Sequence, residues 1–140
     1  MTTTRDAKAS KREALPPGLY RTRITRASAA EHGYTWAEVT QDDPNPDARR
    51  ASAREARIEF TDRSTFTVYD VSYDGVATIG WEGSYSIYRD RITVEGNDGT
   101  TITARVQVSG DHRLRFSAVE PGPRTPEALT WGSAPFVKMR

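Results

Sequence analysis

The chain has 140 residues, enough for one real core and too few for two, and a single domain is expected. Lys plus Arg total 20 against 19 Asp plus Glu, and the net charge of +1 gives no broad electrostatic reason to seek nucleic acid or an anionic membrane as a partner. Cysteine is absent, which excludes disulfide staples, thiolate nucleophiles and cysteine metal sites together.

Met1 to Leu15 has no apolar stripe to bury and reads as a disordered leader, with the domain proper expected over 16–140. The leader lacks the apolar core of a secretory signal. No apolar run has the length needed to span a bilayer, so a cytoplasmic, soluble protein is expected. Pro16-Pro17 bars a helix, and a first strand is expected over Leu19 to Thr25, with Tyr20, Thr22 and Ile24 inward and Arg21 and Arg23 outward. Ala27 to Gly33 predicts a short helix ended by glycine, followed by an apolar patch at Tyr34, Thr35, Trp36, Ala37 and Val39. Gln41 to Pro46 is an exposed loop, and Asp47 to Arg54 recovers a helical turn. So long a connection is either a lid or binding loop, or a mobile insertion.

Ala56, Ile58 and Phe60 alternate with charged residues up to a turn at Thr61 to Ser64, and Phe66 and Val68 continue the alternation beyond it. Tyr73-Asp74-Gly75 turns the chain again. Val76 to Trp81 then leads through Gly80 and Gly83 into Tyr85 to Tyr88, and glycines within a strand mark a bulge or bend. Three turn signals, Arg89-Asp90-Arg91, Asn97-Asp98-Gly99 and Ser109-Gly110-Asp111, punctuate the remainder as an antiparallel meander. Strict alternation predicts that Ile102, Val106, Leu114, Phe116 and Ala118 share the dry face, with Arg105 and Arg113 exposed. Pro121, Pro123 and Pro126 break the next stretch, and Pro135 to Met139 is short enough to be a closing strand. The count is eight or nine short strands, and the expected fold is all-β: an antiparallel up-and-down β-barrel of about eight strands, with one short helix or lid segment after the first. A sandwich is the alternative. Pairing of the first and last strands would remove the exposed edges.

Gly18-Leu19-Tyr20-Arg21-Thr22, Ala29-Ala30-Glu31-His32-Gly33, Gly83-Ser84-Tyr85-Ser86-Ile87 and Asp90-Arg91-Ile92-Thr93-Val94 resemble a lipocalin-like, calycin-type domain. Such domains occur in actinobacterial proteins, some as a trailing domain after transporter substrate-binding proteins. The resemblance runs from Leu15 to the C-terminus by strand order. Gly18-Leu19-Tyr20 is similar to the Gly-x-Trp that opens many lipocalins, with Tyr20 in place of tryptophan, a departure from the classical secreted members. The resemblance implies a calyx able to hold a small apolar molecule.

Chemical signatures are sparse. His112 sits in a turn and reads as solvated, and His32 precedes Gly33 near a helix end, where capping accounts for it. Neither has the neighbours of a haem or zinc site, so no metal and no cofactor is expected. Asp42, Asp43 and Asp47 lack calcium-loop spacing, Ser84 and Ser86 lack a histidine to activate them, and Gly80-Trp81-Glu82-Gly83 is not a phosphate-binding loop. The aromatics are the best lead. Tyr20, Trp36, Trp81, Tyr85 and Trp131 are the candidate ligand-binding residues, with Trp36 and Trp131 outside the regular strands at a mouth or lid. Equally, these rings could simply fill the barrel, and filling is the preferred role for Phe66 and Tyr85.

Three functions fit this pattern. The first is a barrel that binds a small apolar or aromatic molecule. The second is a barrel enzyme of secondary metabolism, a cyclase or isomerase assisted by Tyr69, Asp70 or Glu82. The third is a plugged structural or interaction barrel, acting through an edge strand or a homodimer face.

Overall fold

The computed structural model describes residues 15–110, 112–120, 122 and 126–140. The leader over 1–14, Asp111, Pro121 and Pro123 thus lie outside the described residues. Eight antiparallel strands close into an up-and-down barrel: β1 Gly18–Thr25, β2 Ala53–Phe60, β3 Thr65–Val71, β4 Ala77–Tyr88, β5 Arg91–Gly96, β6 Thr101–Ser109, β7 Arg113–Glu120 and β8 Phe136–Lys138. β8 has only three residues yet pairs with β1 through Tyr20 and Arg21 and with β7 through Arg113 and Leu114, so it closes the ring. Among the described residues no helix is long and apolar enough to cross a membrane.

Alternation sets the inner face. Tyr20, Ile58, Phe60, Phe66, Ile92, Val94, Ile102, Ala104, Leu114 and Phe116 are buried, and Arg105 and Arg113 are exposed, as the periodicity requires. The alternation fails at Ala118. A register shift between β6 and β7 leaves Ala118 unmatched at φ +52°, so it turns outward and Val119 takes the inner position.

The two glycines of β4 do different work. β4 is one strand of 12 residues, and Val68 pairs with Trp81 while Tyr69 pairs with Ile79, leaving Gly80 as the bulged residue. Gly83 is the point where β4 passes from β3 to β5. A Cβ there would lie 2.0 Å from the Glu95 carbonyl oxygen, a contact that only glycine allows.

Chain direction sorts the connections by length. The short β2–β3, β4–β5 and β6–β7 hairpins lie at one end, while the long connections after β1 and β7 lie at the other. The first long connection forms α1 Arg26–Glu31, α2 Trp36–Thr40 and a 3₁₀ turn over Pro46–Arg50. Both helices start with capping boxes, Thr25 with Ser28 and Thr35 with Glu38, each satisfying backbone donors that a short helix leaves bare. His32 caps α1, its Nδ1 lying 2.8 Å from the Ser28 carbonyl oxygen. The second long connection contains α3 Pro126–Gly132. Its start at Pro126 shows this proline in the first helical turn, where no amide donor is needed, rather than as a breaker.

Candidate functional site

The five candidate aromatics separate into three places. Tyr20 and Tyr85 lie in the core towards the hairpin end, each edge-on to Phe60 with ring centroids 6.0 and 5.4 Å away. Their phenol groups are satisfied locally: Tyr20 donates to the Pro16 carbonyl at 2.7 Å, and Tyr85 accepts the Leu15 amide at 2.9 Å. Burial pushes the Tyr85 hydroxyl above the usual tyrosine range, so it stays neutral. Leu15, the last residue of the expected leader, is itself buried in the main core.

Trp36 is remote from these. It lies on α2, with its indole N–H directed at the Ala48 carbonyl 3.3 Å away and the Arg26 guanidinium 5.2 Å from its ring centroid. With Tyr34 and Val39 it covers a second small core of Ile24, Ala29, Ala56 and Leu129. The apolar patch of the first connection thus covers the helix end of the barrel.

Trp81 and Trp131 do meet. Trp131 reaches from α3 into the barrel, where its ring lies edge-on to Phe116 at 4.9 Å, Phe66 at 5.9 Å and Phe60 at 6.2 Å and is only 1 % exposed. This packing fills the interior of the barrel. Trp81 faces inward from β4 at 6.3 Å from Trp131, the two ring planes at 84°, and remains half-buried. Beside it β4 has no strand neighbour except β3, because pairing with β5 begins only at Gly83. The barrel wall is therefore notched between the first half of β4 and the β5–β6 turn.

That notch is a cleft of about 250 Å³ whose walls include Trp81, Trp131, Asp70, Asp98, Glu127 and Thr130. The Asp98 carboxylate accepts the Thr100 amide at 3.0 Å and the Trp81 indole N–H at 3.1 Å. Those bonds, that of the Thr100 amide first, hold its carboxyl below the usual aspartate range. A second cleft, of about 240 Å³, lies between the 3₁₀ turn and the β3–β4 turn, where Arg23 and Arg54 offset Asp43 and Glu55.

The three proposed assistants are not assembled around one point. Asp70 is at the notch, but Tyr69 donates its hydroxyl hydrogen to Glu59 Oε1 at 3.0 Å, and its register neighbours Arg57 and Ile79 place it on the outer face. Glu82 sits opposite Thr67 on that same face. Among the described residues no cluster of three His, Cys, Asp or Glu side chains is disposed to hold a metal ion. Sequence reasoning passed over Asp98, Glu127 and Thr130. Asp98 was readable only as a turn former, and the helix that carries the other two begins at a proline. Comparison of the chain with family models, with curated proteins and with solved structures finds no match.

Proposed function

We propose that this protein is a small-molecule binding barrel of lipocalin-like form whose ligand site is the wall notch at Trp81 and Trp131 and not the barrel axis. The observation that carries this reading is the position of Trp131. Its indole, packed among Phe60, Phe66 and Phe116, takes the space a lipocalin ligand would fill, while Trp81, braced against it and half-buried, provides an aromatic floor at an opening of about 250 Å³. Such a floor, bordered by a few polar groups, suits an aromatic or apolar ligand oriented by one or two hydrogen bonds.

The test is native mass spectrometry of protein purified from its own host, together with tryptophan fluorescence titrations against a panel of small aromatic compounds. A bound small molecule or a saturable fluorescence response is expected, weakened by about tenfold or more in Trp81→Leu and unaffected in Tyr20→Phe. A clean apo mass with no response from the panel overturns the reading.

A second reading, pairing with another copy of the chain, rests on the same missing neighbour. Ala77 to Trp81 has β3 on one side and no strand among the described residues on the other, and Val76 and Ile79 are each 60 % exposed. The stretch Val76 to Trp81 carries no charge, so an antiparallel two-fold pairing would oppose no like charges. Sedimentation should then show a dimer that Ile79→Lys dissociates; a monomer at all concentrations removes this reading.

A further inference from the structure

The net charge of +1 conceals a segregation of charge over the outside of the barrel. On the outer face of β5, β6 and β7 the carboxylates Glu95 and Glu120 stand at one end, opposite Thr101 and Thr103. Arg91, Arg105, Arg113 and Arg115 occupy the hairpin end of the same face, and all four are exposed. Arg91 and Arg105 are directly opposite on neighbouring strands, where like charges destabilise a sheet. Arg115 is the diagonal neighbour of Arg105, two residues along β7 from its partner Ser117, and Arg113 follows about 7 Å further along the strand. Among the described residues no carboxylate forms an ion pair with any of the four. The sheet thus keeps a repulsive arrangement that an anionic partner would offset.

An independent observation is Tyr88. Register carries the outward row from Arg105 through Arg91 to Tyr88 on β4. This tyrosine is 72 % exposed, with the Arg89 guanidinium 5.3 Å from its ring centroid. Arg89 itself holds φ +62°, a left-handed conformation that costs a non-glycine residue energy. One end of the arginine band is therefore an open aromatic ring with a cation beside it.

We infer that this face binds a single-stranded nucleic acid, with its phosphates on the arginines and a base on Tyr88. The band holds arginine and no lysine, and the guanidinium fork matches phosphate oxygens through paired hydrogen bonds. Stacking on Tyr88 requires an unpaired base, which distinguishes this partner from a duplex. Among the described residues no Trp, Phe or Leu is exposed, so the face lacks the apolar anchors of a membrane-surface protein. Neither the four arginines nor Tyr88 lines the notch, so the two sites stand or fall separately.

The test is fluorescence anisotropy of a short labelled oligo-thymidine, titrated with the full chain over a range of salt. Saturable binding is expected, with a double-logarithmic salt slope of about −3 from four phosphate contacts at about −0.7 each. Arg105→Gln should weaken it about threefold to tenfold and flatten the slope by about 0.7, whereas Tyr88→Ala should weaken it about fivefold or more with the slope unchanged. Arg50→Gln, at a remote arginine paired with Asp47, should bind as the wild type does. The thermal midpoint of Arg105→Gln should equal or exceed that of the wild type, since the opposed pair is relieved, which keeps lost binding apart from lost folding. No saturable binding, or equal affinity in wild type and Arg105→Gln, overturns the proposal. Tighter binding of the same strand as a duplex overturns the single-stranded partner, and pelleting with phosphatidylglycerol vesicles without oligonucleotide binding overturns it in favour of a membrane.

Discussion

At the hairpin end of the barrel Leu15 and Pro16 lie over Tyr20 and Tyr85, and both phenol oxygens find backbone partners. At the helix end Trp131 enters the same core from α3, but its indole N–H finds no described acceptor and the wall beside it stands open. Both ends use large rings to exclude water. One end satisfies its polar atoms within the chain, and the other sets an aromatic corner of Trp81 and Trp131 beside a cleft bordered by three carboxylates. The contrast shows how a barrel whose interior is filled by side chains can still carry an opening in its wall, at a gap between strands.

The largest effect is expected where the helix end meets the core. Trp131→Ala removes the ring that Phe60, Phe66, Phe116 and Trp81 surround, and should cost about 3–5 kcal/mol in chemical denaturation. Trp131→Phe should recover much of that loss, because a ring of similar thickness stays in the stack. If Trp131→Ala were as stable as the wild type, α3 would not be a plug and the two ends would differ less than described.

The hairpin end responds to a smaller change. Leu15→Ala should destabilise by about 2–5 kcal/mol, since Leu15 is 1 % exposed and part of the main core. Tyr85→Phe keeps the ring but strips the acceptor from the Leu15 amide, and should cost about 1–3 kcal/mol. Faster amide exchange at Leu15 in that variant would locate the loss at the hairpin end. Unchanged exchange would mean that water already serves that amide.

These ends were unequally legible. The barrel itself could be read from residues such as Ile102, Val106, Leu114 and Phe116, because a period of two with one dry face has few other solutions. The closing strand was also readable, Phe136–Lys138 falling within the Pro135 to Met139 segment. α3 is hidden, because Pro126 reads as a breaker although a proline followed by Glu127 equally well opens a helix. The Thr35 and Glu38 capping box of α2 was visible in the sequence as well and passed for part of an apolar patch. The site was half legible. Trp81 and Trp131 were singled out for their type, but their meeting depends on Gly80 and Gly83, whose bulge and crossing point set where β4 leaves β5. Local pattern carries no such long-range geometry. Ala118 shows the same limit, its outward turn following from a register shift that alternation cannot foresee.

The smallest effect concerns the carboxylate that borders the open end. Asp98 is depressed in the folded chain by the Thr100 amide and then by the Trp81 indole, so its contribution to stability is present above the unfolded aspartate pKa and is lost as pH falls through the folded value. Wild-type stability should therefore fall more steeply than that of Asp98→Asn below about pH 4, where an ordinary aspartate begins to protonate. The two proteins should run parallel at higher pH. Denaturation midpoints taken from about pH 7 down to about pH 2, with Trp81 emission followed alongside, would register the difference. Because Asp98 is exposed and the bond is local, the emission shift should be the clearer signal. Curves that stay parallel throughout would mean that Trp81 is held by its contacts with Phe66 and Trp131 alone, and that the aromatic corner is set by packing at both ends of the barrel.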